Sequence, residues 1–356
     1  MKIGIVGLAH GHAQTYIRRW QENPEMDIQV ARIWDPDKER LEEIAKNYNL
    51  EMGECPYCIV NDPEIEAVLI ASETSRHAEY VEIAAEAGKK IVVQKPMALT
   101  IADADRIVNA VKKHNVPFSM AWQMRVDPQN VKMKEMLEAG TFGKIMQFQR
   151  RHNLGNTLAL KDSPRSAWHI TAQYNRDIWA DDSSHPIDLV HWLFGMPESV
   201  TAELKTQFSP DLQNDSGIAI FSYPDGMLAE VCCTFMCGGA EKTTEILGSK
   251  GYLSQRYGDG VTSRMPRPEN AVGMKYYLKD EDKWYDVDIP SPPNQGYRIG
   301  GLAQPISDFL HDKRGPIATA EEARDSLRLV LATIISSKEG RRVKPYEQAI
   351  DEIPAP

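Results

Sequence analysis

The sequence predicts an α/β protein with two parts: an N-terminal Rossmann-type, doubly wound parallel sheet over residues 1–122, and a C-terminal α+β domain over residues 123–356 built on a large, mostly antiparallel sheet. Three observations carry this. The chain opens on an apolar strand, Ile3 to Val6, that runs directly into a turn built from Gly7, Ala9 and Gly11. Short apolar runs then alternate with amphipathic helical patterns as far as Trp122. Beyond a linking helix the pattern changes to strands joined by turn signals such as Pro224-Asp225-Gly226.

The opening turn has the character of a dinucleotide site. A strand-to-helix turn that brings a pyrophosphate against amide N–H groups needs residues with little or no Cβ. Gly7 and Gly11 meet that need, Ala9 takes the second fingerprint position and His12 the third, with His10 between them. A second apolar run, Ile28 to Trp34, ends in Asp35, near the spacing at which a carboxylate reaches the adenosine ribose. NAD is therefore the expected cofactor, with Lys38 and Arg40 leaving NADP open.

The remaining elements follow in order. Ala67 to Ala71 reads as a buried strand, followed by a helix with Ala78, Val81, Ala84 and Ala85 on one face, ending at Gly88. Ile91 to Val93 is the next strand. Thr100 with Asp103 resembles a capping box, and Ala104, Ile107, Val108 and Val111 form the inward stripe of its helix. Pro117 to Trp122 supplies a further strand, and Val131 to Leu137 the linking helix. Strands are expected at 144–152, 200–208, 217–223, 227–235 and 244–247, and closing helices at 302–311 and 321–340.

At 356 residues the chain suggests about two domains. A formal net charge of −10, with no basic tract, argues against nucleic acid and anionic membrane as partners. No apolar run approaches the roughly 20 residues of a spanning helix, and the N-terminus enters a strand at once, so a cytoplasmic location is expected. Five cysteines, an odd number, point away from a disulfide framework. Cys55-Pro56-Tyr57-Cys58 has dithiol spacing but sits between the second and third strands, outside the usual setting of a redox motif, and is read as an incidental pair.

Two clusters fall where such a fold places ligands, at the carboxyl ends of the parallel strands. The first is Gln94-Lys95-Pro96. The second runs from Asp181 through Asp182, Ser183, Ser184, His185 and Asp188; with a helix starting near Asp181, a carboxylate stands one turn from an imidazole.

With these motifs the chain resembles the glucose-fructose oxidoreductase and inositol dehydrogenase family (Gfo/Idh/MocA) over nearly its whole length. That family shows Glu-Lys-Pro after a Rossmann strand and Asp-x-Gly-x-His-x-x-Asp at the start of its substrate domain. Lys95 and Pro96 match the first; Asp181, His185 and Asp188 match the second. Ala121 to Arg125, Gly143-Lys144-Ile145 and Gly248 to Gly251 add to the likeness. Gln94 for Glu, Ser183 for Gly and Asn175-Arg176-Asp177 for three glycines depart from it, and these altered residues are expected to line the pocket.

The resemblance implies an NAD(P)-dependent dehydrogenase acting on a secondary alcohol of a sugar, polyol or sugar derivative. Neutral imidazole suits removal of a hydroxyl proton near pH 7, making His185 the candidate base. Lys95 is the candidate to polarise the reacting oxygen, and Asp181 to orient ligand or imidazole. Cofactor contacts are expected from Gly7, Ala9, His10, Gly11, His12, Asp35, Ser72, His77, Gln94 and Lys95. Substrate contacts are expected from Gln123, Arg125, Trp168, His169, Asp181 and His185, with no metal. Arg151, Arg165 and Arg176 are further candidates for an acidic substrate group. Three alternatives stay open: a lyase or glycosidase working through transient sugar oxidation, a metal enzyme using His152, His169, Asp181, Asp182, His185 and His191, and a non-catalytic cofactor-sensing role. Ile218, Ile220, Val231, Cys233 and Phe235 give a sheet whose two faces both carry apolar residues, and a homodimer or homotetramer through that sheet is expected.

Overall fold

The computed structural model describes residues 1–155, 157–163, 165–237, 241–257 and 268–356. Its first layer is a six-stranded parallel sheet in the order β3-β2-β1-β4-β5-β6. In chain order the elements are β1 (Lys2–Val6), α1 (His12–Glu22), β2 (Gln29–Trp34), α2 (Lys38–Tyr48), β3 (Glu51–Met52), α3 (Pro56–Val60), β4 (Ala67–Ile70), α4 (His77–Glu86), β5 (Lys90–Val93), α5 (Ile101–His114) and β6 (Phe118–Met120). Strand order reverses between β1 and β4, which opens a crevice at their carboxyl ends. Strands β1, β4 and β5 are apolar and almost wholly buried because helices cover both faces. The helix starts carry the caps their sequences suggest: Asp37 accepts from the Arg40 amide, and Thr100 from the Asp103 amide.

The helix α6 (Pro128–Glu138), capped by Asp127, leads into β7 (Ile145–Arg151). After α7 (Ala172–Asn175), a single π-helical turn (Trp179–Ser183) runs into α8 (Ser184–Phe194). The second sheet is completed by β8 (Ser199–Lys205), β9 (Ser216–Ser222), β10 (Leu228–Thr234), β11 (Thr243–Gly248), β12 (Gly251–Gln255), β13 (Met274–Leu278) and β14 (Lys283–Asp286). Its order is β14-β13-β12-β11-β7-β10-β9-β8, antiparallel except where β10 runs parallel to β7. The chain closes with α9 (Gln295–Gly300), α10 (Ala303–Leu310), α11 (Ala320–Glu339) and α12 (Gln348–Asp351).

The two sheets are tied together by the C-terminal segment. Met120 donates its amide to Ala318, Ile317 donates to the Ser119 hydroxyl, and the Trp20 indole donates to the carbonyl of Ala303. Helix α11 lies across β8, α8 and α5, with the capping box of Thr319 and Glu322 at its start. Cys55 and Cys58, read from the sequence as an incidental pair, are joined as a disulfide at the start of α3, where a helical turn brings their Cα atoms to 5.2 Å, within bridging range. No helix among the described residues is long and apolar enough to cross a membrane.

Candidate active site

The site is assembled on the turn after β1. Gly7 has φ of 80°, and a Cβ there would collide with the backbone of Ser72 on the neighbouring strand's exit, so glycine is required on two counts. Gly11 stands at the N-cap of α1 with no side-chain cap and no acidic residue in the first turn. That leaves the positive end of an eleven-residue helix open toward an anion, which fits the pyrophosphate of a dinucleotide.

At the end of β2, Asp35 is buried and multiply bonded. Its Oδ2 accepts from the Leu8 amide at 2.6 Å; its Oδ1 accepts from the Asp37 amide at 2.8 Å and from Arg40 Nη2 at 2.7 Å. The same Arg40 nitrogen reaches Glu73 Oε1 at 2.9 Å. Burial pushes the Asp35 carboxyl up, and Arg40 and the two amides oppose that push.

The chemical centre forms where β5 ends. Pro96, joined to Lys95 by a cis peptide bond, turns the chain, and Lys95 Nζ donates to Asp181 Oδ1 at 2.9 Å across the crevice. His169 Nδ1 lies 2.9 Å from Asp181 Oδ2, so both carboxylate oxygens are engaged. Burial alone would raise the Asp181 carboxyl, but Lys95 and His169 overrule it and hold it well below the usual carboxylate range. His185 packs edge-on to Trp122 with ring centroids 5.6 Å apart. Burial, then Lys95, keeps its imidazole well below its ordinary value, with Asp182 opposing. His12 is pushed down to about 3 by burial and by Lys95. The neutral imidazoles of His12 and His185 thus stand beside one lysine–carboxylate pair.

A cavity of about 470 Å³ joins these groups. Ala9, His10, Gly11, His12, Lys95, His169, Asp181 and His185 line it with Arg40 and Arg165, together with Asp182, Gln295, Leu154, Gly155, Thr157 and Leu160, which the sequence does not single out as substrate or cofactor contacts. Only the crowding of histidine and aspartate hinted at Asp182. Trp168 lies behind His169, its ring stacked on the imidazole at 3.8 Å and its indole N–H donated to Ala9 O, locking the second domain onto the phosphate turn.

Other candidates hold the frame. His77 contacts the carbonyls of Pro96, Met97 and Ser72, and the Ser72 hydroxyl donates to Glu73 O. Gln94 donates to the Tyr16 hydroxyl at 2.8 Å. Gln123 and Arg125 are buried and stand outside the residues lining this cavity. Arg125 grips Asp188 through two bonds of 2.9 and 2.8 Å, because the helix carrying Asp188 turns that face into the core.

The departures from the family pattern also lie outside the lining, contrary to expectation. Ser183 donates to the carbonyl of Trp179, and Asn175 accepts from the Thr74 hydroxyl. Asp177 caps the turn at Ala180. Arg176 has φ of 55°, so a backbone shape that favours glycine persists there, held by two bonds from its guanidinium to Leu99 O. Arg151 lies on the other face of the second sheet, Arg165 lines the cavity and pairs with Glu43, and no group of three or more metal-ligating side chains converges among the described residues.

The fold and site define an oxidoreductase with an NAD-binding domain. The chain belongs to the Gfo/Idh/MocA family: residues 1–122 match its NAD-binding Rossmann domain and residues 130–254 its C-terminal domain. It is 28% identical to a myo-inositol 2-dehydrogenase of Thermotoga maritima, over 98% of this chain and 99% of that one. It is 25% identical to a levoglucosan dehydrogenase of Pseudarthrobacter phenanthrenivorans, over 99% of this chain and 82% of that one. Among solved structures, a levoglucosan dehydrogenase in complex with NADH and levoglucosan superposes with a TM-score of 0.82 at 21% identity, covering 98% of this chain and all of that one, a likeness of fold.

Proposed function

We propose that this enzyme oxidises a secondary hydroxyl of a polyhydroxylated ring, a sugar or cyclic polyol, with NAD. The observation that carries this reading is the convergence of Lys95, Asp181, His169 and His185 on one cavity beneath the phosphate turn. The curated relatives named for inositol and levoglucosan support it.

NAD, when bound, accepts a hydride from the carbon that is oxidised. His185, neutral because it is buried, takes the hydroxyl proton. Lys95 has one donor beyond the two given to Asp181 Oδ1 and O and offers it to the reacting oxygen, stabilising alkoxide character. Asp181 aims the ammonium, and His169, backed by Trp168, forms a polar wall for neighbouring hydroxyls. Leaving a buried polar group unpaired costs about 1–3 kcal/mol, so deoxygenated analogues are rejected. Steady-state rates with NAD on a panel of cyclic polyols, sugars and simple alcohols test this. Turnover confined to polyhydroxylated rings is expected, and a clear preference for simple aliphatic alcohols overturns it.

The reading includes a homo-oligomer. Ile218, Ile220 and Leu228 are 47%, 40% and 42% exposed on the open face of the second sheet, a patch that a second copy would cover. Light scattering at micromolar concentration is expected to give a dimeric or tetrameric mass, and a monomeric mass counts against it.

A further inference from the structure

The lysine and arginine side chains that line the cavity each have a carboxylate partner. Lys95 meets Asp181, Arg40 meets Asp35 and Glu73, and Arg165 meets Glu43. Asp182 lines the same cavity, is only 9% exposed, and has no such match. Its Oδ2 is sealed without a hydrogen-bond partner among the described residues, so Oδ1 is the oxygen that faces the cavity. The basic groups within ion-pair reach of Oδ1, among the described residues, are His152 Nε2 and His185 Nε2, each at 3.8 Å and so beyond hydrogen-bond distance.

Neither imidazole supplies a positive charge. His185 is kept neutral by burial and then by Lys95, against the pull of Asp182. Arg150 Nη2 lies 3.4 Å from His152 Nδ1, and a guanidinium can only donate, so Nδ1 keeps its lone pair and the His152 ring is not an imidazolium. The Asp182 carboxylate therefore stands buried beside the reacting centre without a cation. Such a group is costly to keep unless something pairs with it, and the side left open to a partner is the cavity.

The position of Oδ1 fixes where on a ligand that partner sits. His185 Nδ1 is sealed, so Nε2 is the nitrogen that reaches a ligand and takes the hydroxyl proton. Oδ1, 3.8 Å from that nitrogen, is one ring substituent away, and the group it meets belongs to the carbon beside the one oxidised. A hydroxyl there donates a hydrogen bond but leaves the negative charge unmatched. An ammonium donates and also neutralises it.

We propose that Asp182 is a specificity residue whose Oδ1 binds an ammonium group, so that the preferred substrate is a polyhydroxylated ring with an amine next to the reacting hydroxyl, an amino sugar or aminocyclitol. The proposal rests on the oxidation reading above, which it narrows. In that step the hydroxyl proton passes to His185 Nε2, the C–H bond breaks with its electron pair going to the nicotinamide, and the carbonyl forms on the same carbon. The ammonium keeps its protons, and the product is an amino ketone.

The test compares inositols and hexoses with rings of the same stereochemistry that carry one amine in place of a hydroxyl, and with the N-acetyl forms of those amines, which are uncharged. Binding is measured by calorimetry on the full chain loaded with NADH, where no oxidation occurs, and turnover is measured separately with NAD. One amine is expected to bind tighter than its hydroxyl and N-acetyl counterparts by roughly tenfold or more, and Asp182→Asn is expected to abolish that preference while leaving NAD affinity nearly unchanged. Equal binding of amine and hydroxyl rings by the wild type overturns the proposal, whether or not Asp182→Asn folds. So does an amine preference that survives in Asp182→Asn, or a loss of NAD affinity there as large as the loss for the amine, which would assign the carboxylate to the nicotinamide cation. If the amine binds preferentially but no ring is oxidised, the oxidation reading fails and the ammonium subsite stands; if hydroxyl rings are oxidised with no preference for an amine, the subsite fails and the oxidation reading stands.

Discussion

Two buried ion pairs hang from one stretch of eight residues, and they do opposite work. Asp181 meets Lys95 and Asp188 meets Arg125, each at under 3 Å and each with side chains almost sealed from solvent. Asp181 sits on a π-helical turn that opens onto the cavity, so its pair faces the place where a ligand would lie. Asp188 sits one turn into α8, where its carboxylate accepts two bonds from Arg125 and one from Ser326, and Glu322 takes the remaining side of the guanidinium. A saturated pair of this kind is scaffold. The pair that keeps a donor to spare beside a cavity is the one that can act on a substrate.

The largest expected consequence is structural. Arg125→Met leaves the Asp188 carboxylate buried with its main partner gone, which typically costs about 3–5 kcal/mol. The melting temperature is expected to fall by roughly 10 °C, since about 1 kcal/mol moves Tm by a few degrees in a chain of this size. Turnover per folded molecule is expected to stay near wild type. A melting temperature within 2 °C of wild type, measured by calorimetry, would break the contrast between the two pairs.

The reciprocal experiment touches the open pair. Lys95→Met and His185→Ala are expected to lower turnover by roughly a hundredfold while leaving NAD affinity nearly unchanged, as for groups acting on the reacting oxygen. Near-normal turnover in either variant removes that residue from the mechanism.

Much of this division was beyond the reach of the sequence. Periodicity and turn chemistry locate β1, β2, β4, β5 and β6, the helices α4 and α5 and the long α11 within a residue or two, because burial on both faces leaves uninterrupted apolar runs. Short strands such as β3, and β13 and β14 with their mixed polar and aromatic residues, carry no such run and passed unnoticed. The Asp181 motif places Asp181, His185 and Asp188 on a common helical face, yet a π turn rotates the first away from the last. No residue spacing announces a π turn, so Arg125 could be taken for a pocket residue. Cys55 and Cys58 illustrate the same limit: spacing permits a bridge, and only the helical turn that follows decides it.

A smaller effect sharpens the comparison at the ribose end. Arg40 is held by two carboxylates, Asp35 and Glu73, the second of which also pairs with Arg76, so the Arg40 charge is already engaged where a 2′-phosphate would need it. NAD is expected to bind more tightly than NADP. Glu73→Ala releases one carboxylate from Arg40, whose Nε is already without a partner among the described residues, and is expected to improve NADP binding relative to NAD by roughly tenfold, a 1.4 kcal/mol change. Titrations of both cofactors against both proteins decide it, and tighter NADP binding by the wild type sinks the charge argument.

The smallest expected effect is a flat line, and it separates the chemistry of the site from the stability of the fold. His185 acts as a base only while neutral, and burial with Lys95 nearby holds it well below its ordinary value. Its neutral form therefore persists as pH falls through about 6.5, where an exposed histidine would already be half protonated. Between pH 8 and pH 6, kcat/KM for oxidation is expected to change by less than about threefold. Stability behaves differently. His10 and His185 are buried and His12 is half-buried, all with depressed values, so in acid the unfolded chain binds protons that the folded chain refuses. The stability these histidines contribute is complete above their unfolded value near 6.5 and declines as pH drops toward the folded values, by up to about 1.4 kcal/mol per pH unit for each group. Acid inactivation should consequently follow a falling melting temperature, with the surviving folded enzyme still turning over at its neutral-pH rate. An acid limb in kcat/KM centred near pH 6.5, with the melting temperature constant across it, would show a solvent-accessible base and remove His185 as buried here from that role.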